Sequence, residues 1–166
     1  MKLDGSRAGV GEAGEIRVKG PMVMRGYLDA TLDREAFDSE GFLRTGDLGR
    51  LDDAGNVAIT GRVKDIIIRN MENISAKEVE DLLFTHPAIA DAAVVGLPDD
   101  RTGERVCAVV VLKEGQEAPT LAELVEFTVG NGLAKQKTPE QLEVLDALPR
   151  NPTGKVLKYE LRAQLT

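Results

Sequence analysis

The sequence predicts an α+β protein, a small antiparallel β unit followed by a compact α+β domain from about residue 65 onward. Three observations carry this. Apolar and polar residues alternate in short runs through the first third of the chain, the period of a half-buried strand. Ser75 and Thr120 each stand three positions ahead of a glutamate, at the head of an apolar pattern of helical period. Between and around those patterns lie apolar runs too short for helices, at 92–97 and 106–112.

Residues 1–14 are rich in Gly, Ala and charge and show no apolar periodicity, so they read as the interior of a longer chain. From Glu15, Ile16 and Val18 alternate with Arg17 and Lys19. Leu48, Leu51, Val57 and Ile59 then flank Asp52-Asp53-Ala54-Gly55-Asn56, a turn-forming run. Met22 and Met24, on either side of Val23, are expected to pack. The β unit ends near Gly61-Arg62, and Ile66-Ile67-Ile68 predicts a further strand. Ser75 and Glu78 have capping-box spacing, and Val79, Leu82 and Leu83 share the face of the helix they open. That helix stops before His86-Pro87, because the residue ahead of a proline is pushed out of the α region. Strands at 92–97 and 105–113 follow. Thr120 and Glu123 open a second helix with Leu121, Leu124, Val125 and Val129 facing inward, residues 142–145 form another strand, and Leu157, Leu161 and Leu165 mark a closing helix. The order β-α-β-β-α-β-α gives the α+β class.

Composition narrows the function. The chain has 166 residues, 42% apolar, and a net charge of −7, enough for one medium domain or two small ones. Its 17 Gly and 7 Pro are scattered, which excludes fibrous and wholly disordered classes. The longest apolar run, 106–112, is far short of the roughly 20 residues that cross a bilayer as a helix. The first 20 residues hold no apolar signal core, so a cytoplasmic protein without a membrane span is expected. Cys107 is the single cysteine; it can form neither an internal disulfide nor a thiolate cluster, and reads as a core residue. His86 is the single histidine and reads as part of a helix-ending turn, so no metal site is expected. Asn73-Ile74-Ser75 fits a glycosylation acceptor, which without a signal sequence is a chance match. Few aromatics and an acidic total argue against nucleic acid. Residues 65–133 hold 13 acids and 5 bases, a balance of −8, and residues 134–166 hold 4 acids and 6 bases, a balance of +2. The basic end is where an anionic ligand is expected.

Three patches combine turn glycines with charged or hydroxyl side chains: Thr45-Gly46-Asp47-Leu48, Gly61-Arg62-Val63-Lys64-Asp65 and Asn151-Pro152-Thr153-Gly154-Lys155. Singly, each reads as an ordinary turn. The last is no P-loop, since Pro149 and Val156 stand where a glycine and a hydroxyl are needed. Jointly, their order and spacing resemble the C-terminal part of the adenylate-forming enzymes, which include acyl-CoA synthetases, firefly luciferase and peptide-synthetase adenylation domains. The matching text is Gly14-Glu15-Ile16-Arg17-Val18-Lys19-Gly20-Pro21 through Gly26-Tyr27, Phe42-Leu43-Arg44-Thr45-Gly46-Asp47-Leu48, residues 61–80, and residues 149–155 leading into Leu161. Glu72-Asn73-Ile74-Ser75-Ala76-Lys77-Glu78-Val79-Glu80, with His86-Pro87 and Val94-Val95-Gly96-Leu97-Pro98-Asp99, looks most like the fatty or aryl acid-CoA ligases.

The resemblance implies activation of a carboxylic acid with ATP to acyl-adenylate and pyrophosphate, then attack by the thiol of CoA, with ATP, Mg2+ and CoA as substrates. It implies the end of the large domain over 1–61, a hinge over 62–64 and a mobile C-terminal α+β lid over 65–166. By similarity, Asp47 accepts hydrogen bonds from the ribose, Arg62 contacts ribose or phosphate, and Lys155 is the catalytic cation between the substrate carboxylate and the α-phosphate. Lys64 matches the hinge, and Asn70, Met71, Glu72 and Asn73 line the channel for the pantetheine arm. Asn70-Met71 replaces the family's usual Gly-Gly, and Met71 does not readily take positive φ. The family's Ser/Thr/Gly-rich phosphate loop and acyl pocket are absent, so the chain is expected to need the missing N-terminal domain as its partner and to be inactive alone. Two alternatives stay open, an adenylation domain delivering to a carrier protein and a non-catalytic ligand-binding or regulatory lid module; a purely structural partner-binding domain is less favoured, since it would leave Asp47, Arg62 and Lys155 without a use. No carrier segment follows Thr166, which favours CoA.

Overall fold

The computed structural model describes residues 1–2 and 5–166. These form two compact units, Met1–Lys64 and Asp65–Thr166. In the first, β1 (Ala13–Val18), β2 (Leu43–Leu51) and β3 (Val57–Arg62) make an antiparallel sheet in that order. The β2–β3 turn closes on Asp52, whose Oδ1 accepts from Ala54 N at 2.9 Å and Asn56 N at 2.8 Å, a side chain standing in for a backbone turn. A one-turn helix, α1 (Asp33–Ala36), was not legible in the sequence. The expected packing of Met22 and Met24 is corrected: they are 96% and 39% exposed. They lie in an irregular stretch with no strand, so their alternation has no pleat to point one side inward.

The second unit is built on the antiparallel pair β6 (Ile89–Asp99) and β7 (Gly103–Leu112), in register from Asp91↔Val111 to Asp99↔Gly103. Alternate residues of this pair enter two different cores. Ala92 and Val94 of β6 with Val106, Ala108 and Val110 of β7 join Val79 and Leu83 of α2 (Ala76–Leu83) and Leu124 of α3 (Leu121–Gly130). Ala93, Val95, Leu97, Cys107 and Val109 join Leu148 and Leu161, the latter on α4 (Lys158–Leu165). Both faces of the pair are therefore covered, which is why its strands read as unbroken apolar runs. Cys107 is fully buried, and burial pushes its thiol up to about 12. β4 (Ile66–Arg69) meets β7 at Arg69↔Gly103, and β8 (Gln141–Val144) runs parallel to it over Cys107–Val110.

Three details depart from the sequence reading. A further strand, β5 (Glu72–Ser75), pairs with β4, so the order from residue 65 is β-β-α-β-β-α-β-α. The Thr120–Glu123 capping box is made in full, but at Ser75 the side chain makes no capping bond, and Glu78 accepts from Lys137 Nζ at 2.8 and 2.7 Å. Glu78, the acidic partner that a capping box needs, is engaged in this cross-element ion pair. Val129 is 42% exposed and the helix buries Thr128 instead.

β4 and β5 are joined by a two-residue turn in which Asn70 and Met71 both take positive φ, 49° and 63°. That is the hairpin geometry ordinarily filled by Asn-Gly. Met71 adopts it while 94% exposed, so no burial of its side chain offsets the steric cost of a β-carbon there. Met71→Gly is expected to stabilise the purified chain by about 1 kcal/mol, the lower end of that steric cost, read as a higher urea midpoint; an unchanged or lower midpoint would contradict the strain.

His86 packs edge-on against Phe127 at 4.7 Å between ring centroids, and its Nδ1 accepts from Ala88 N at 3.2 Å. Burial first, and the Lys113 charge second, hold its imidazole below the ordinary value. The unfolded chain then takes up the proton more readily, so this contribution to stability is whole above about pH 6.5 and is lost as pH falls through the folded value. We expect the urea midpoint to fall between pH 7 and 5.5, and His86→Phe, which keeps a ring against Phe127, to flatten that slope.

Candidate functional site

The first station lies on the β2–β3 pair. Asp47 and Arg62 are register partners across it, and Arg62 Nε donates to Asp47 Oδ1 at 2.7 Å. Gly46, at φ 71°, turns the backbone ahead of Asp47 in a way a side chain would resist. Thr45 Oγ1 accepts from Asp47 N at 3.1 Å and donates to Ile16 O at 2.7 Å, tying the segment to β1. The pair is partly exposed, at 32% for Asp47 and 47% for Arg62. Among the described residues nothing else bonds to either side chain, which leaves a carboxylate oxygen and guanidinium N–H groups for an outside partner. Such a pair accepts from hydroxyls and donates to oxyanions.

The second station is Lys155, in the loop between Leu148 and α4. Leu148 and Leu161 sit in one buried cluster, so the loop is pinned at both ends. Arg150 and Val156 form an isolated antiparallel bridge across it, and Gly154 takes φ 84° at its tip. Asn151 Oδ1 accepts from Thr153 N at 3.1 Å, Thr153 Oγ1 at 2.8 Å and Lys155 N at 2.8 Å. Arg150 donates to Gly154 O and, from Nη2, to Asp91 Oδ2 at 2.5 Å. Lys155 itself is exposed, and its ammonium makes no hydrogen bond or ion pair among the described residues.

That distinguishes it from three of the five other bases of residues 134–166. Lys137 pairs with Glu78 at 2.7 Å, Arg150 with Asp91 at 2.5 Å, and Lys158 with Glu80 at 2.7 Å and Asp65 at 3.6 Å. Three of the six bases of residues 134–166 thus engage carboxylates of the unit's own body, whereas Lys135, Lys155 and Arg162 make no ion pair among the described residues, so the segment is only in part open to an anion. These pairs join residues up to 93 apart in sequence for Lys158 and Asp65 and had no local signal. The Asx turn at Asn151 did have one, the Asn-Pro-Thr-Gly run.

Lys64 is exposed, in the one-turn 3-10 segment Val63–Asp65, and is the last residue of the first unit. Of the residues expected along a thiol channel, Asn70 and Met71 form the β4–β5 turn and Glu72 and Asn73 begin β5; all four are exposed. The hairpin is held from behind: Asn70 N donates to Thr102 O at 2.9 Å, Ile68 N to Glu104 Oε2 at 2.6 Å, and Arg69 grips Glu140 with two bonds of 2.7 and 2.8 Å. Arg69, first through its hydrogen bond, holds the Glu140 carboxyl below its ordinary range. Among the described residues no group of three or more His, Cys, Asp or Glu is placed to hold a metal, and no helix is long and apolar enough to cross a membrane.

Residues 78–155 match the family described as AMP-binding enzyme C-terminal domain. The chain is 48% identical over 153 residues to the medium-chain fatty-acid–CoA ligase of Escherichia coli K12, covering 92% of this chain and 27% of that protein. It is also 48% identical over 167 residues to the salicyl-AMP ligase/salicyl-S-ArCP synthetase of Mycobacterium tuberculosis, covering 99% and 29%. The chain therefore spans less than a third of the relatives it matches. Its structure matches that of ATP-bound MatB from Rhodopseudomonas palustris with a TM-score of 0.89 and 38% identity, over 98% of this chain and 32% of that one. The α+β unit that carries these strands and this loop thus belongs, through residues 78–155, to the AMP-binding enzyme C-terminal domain family.

Proposed function

We propose that this chain is the C-terminal part of an ATP-dependent acid–CoA ligase and that Lys155 supplies the charge on which adenylate formation depends. The observation that carries the reading is the exposed, unpaired ammonium of Lys155 on a loop whose backbone is fixed by Asn151 and Arg150. Joining a carboxylate to the α-phosphate of ATP brings two anions together, and repulsion grows as the bond forms. A cation held between them offsets that repulsion most in the transition state. Asp47 accepts from the ribose hydroxyls, and Arg62 donates to ribose or phosphate oxygens beside it. Magnesium enters with the triphosphate as part of the substrate.

In the second step a thiol attacks the acyl carbonyl, AMP leaves, and the thioester forms. Lys64 is proposed as the hinge between the two steps, and the hairpin tip at 70–73 as a wall of the thiol's channel. CoA as the acceptor is supported by the likeness to a fatty-acid–CoA ligase. The equal likeness to a salicyl-S-ArCP synthetase supports a second reading, delivery to a carrier protein. Offering the acyl-adenylate-loaded full-length protein CoA and a pantetheinylated carrier in competition separates the two.

In the full-length ligase, Lys155→Ala is expected to slow acid-dependent ATP–pyrophosphate exchange by about 100- to 1,000-fold, the cost of losing one preorganised charge-stabilising group. Thioester formation from supplied acyl-adenylate should stay near the wild-type rate, and equal loss in both steps would contradict the assignment. The 166-residue chain by itself is expected to release no pyrophosphate in the presence of ATP and carboxylic acids; robust acid-dependent release would overturn that.

A further inference from the structure

We infer that Asn151 is a positioning residue for Lys155, setting where the ammonium stands during adenylation; this rests on the role proposed above for Lys155. A lysine ammonium rides on a flexible four-carbon stem, so the protein controls its location chiefly through the backbone from which the stem springs. Both peptide groups of Lys155 end on one residue. Its N–H donates to Asn151 Oδ1 at 2.8 Å, and its C=O accepts from Asn151 N at 2.9 Å. The same Oδ1 takes the N–H and O–H of Thr153, and Asn151 O accepts from Gly154 N at 2.9 Å. The side-chain amide is thus the centre around which residues 151–155 close.

That ring is fastened to the body of the unit through the preceding residue. Arg150 reaches Gly154 O with Nη1 and Asp91, on β6, with Nη2. Asn151 lies outside both buried clusters, and the elements on either side of the loop are anchored by Leu148 and Leu161. Removing its carboxamide should therefore loosen the loop and leave the fold intact. A misplacement of about 1 Å in a group that acts on a transition state can cost as much as 100-fold in rate. An interaction made only in that state lowers kcat and kcat/KM together and leaves KM alone.

The test is a double-mutant cycle in the full-length ligase, read by ATP–pyrophosphate exchange and, separately, by thioester formation from supplied acyl-adenylate. Asn151→Ala should lower the kcat of exchange by about ten- to a hundredfold, with the KM for ATP, the thioester step and the melting temperature nearly unchanged. Asn151→Asp, which keeps the accepting oxygen, should restore most of the rate. In a Lys155→Ala background Asn151→Ala should have no further effect, because the group it positions is gone. Wild-type exchange by Asn151→Ala, an undiminished effect in the Lys155→Ala background, or a parallel fall in melting temperature and both half-reactions would each overturn the inference. If Lys155→Ala is slow while Asn151→Ala is not, the role of Lys155 stands and only Asn151 is misassigned. If Lys155→Ala exchanges at the wild-type rate, the role of Lys155 itself falls.

Discussion

The double burial of the β6–β7 pair is the constraint from which the second unit is built. Successive side chains of a strand point to opposite faces, and here both faces are apolar, so each needs its own cover. α2 and α3 close one face, and α4 closes the other. The chain must therefore pass from β8, at the edge of β7, to the face that α4 covers. The segment that makes the passage, from Leu148 to α4, carries Lys155. An exposed loop is thus suspended between two buried leucines, and its position follows from core packing before any hydrogen bond within it is counted.

Charge is arranged on the same plan. Carboxylates on α2 and β6 take up Lys137, Arg150 and Lys158, and the Arg69–Glu140 fork ties β4 to the segment entering β8. Partly buried pairs of this kind are sensitive to the loss of one partner, and they fix elements that the sheet alone would leave free to shift. Lys155 stands apart from this set. A cation already engaged by its own domain would have to be released before it could meet a ligand; one without a partner among the described residues does not.

The sequence revealed most of the fold where pattern and chemistry agreed. The strands of the β6–β7 pair were legible because burial on both faces leaves no polar positions, and α3 because its capping box is satisfied locally. β5 was missed because four residues, Glu72–Ser75, show little alternation and derive their strand character from pairing with β4. The same text at Ser75 and Glu78 suggested a cap that the structure does not make, and Glu78 is engaged by Lys137, a residue 59 positions away. Of the candidate site, Asp47, Arg62 and Lys155 were marked only by the family resemblance of the three patches taken together, since each patch alone read as an ordinary turn. What could not be read was the bracing of the Lys155 loop against Asp91, because one sequence carries no signal for a contact over such a separation. The Asn70-Met71 turn was the opposite case: Met71 argued against positive φ, and the hairpin adopts it regardless.

The burial of Cys107 bears on the proposed chemistry, which passes through an activated acyl group. A mixed anhydride acylates whatever thiolate comes within reach, and the sulfhydryl of Cys107 is the only one in this chain. Sealed in the sheet, with its ionisation suppressed far above neutrality, it offers neither access nor nucleophile. Under the proposed function, acylation of this chain's own thiol is thereby avoided.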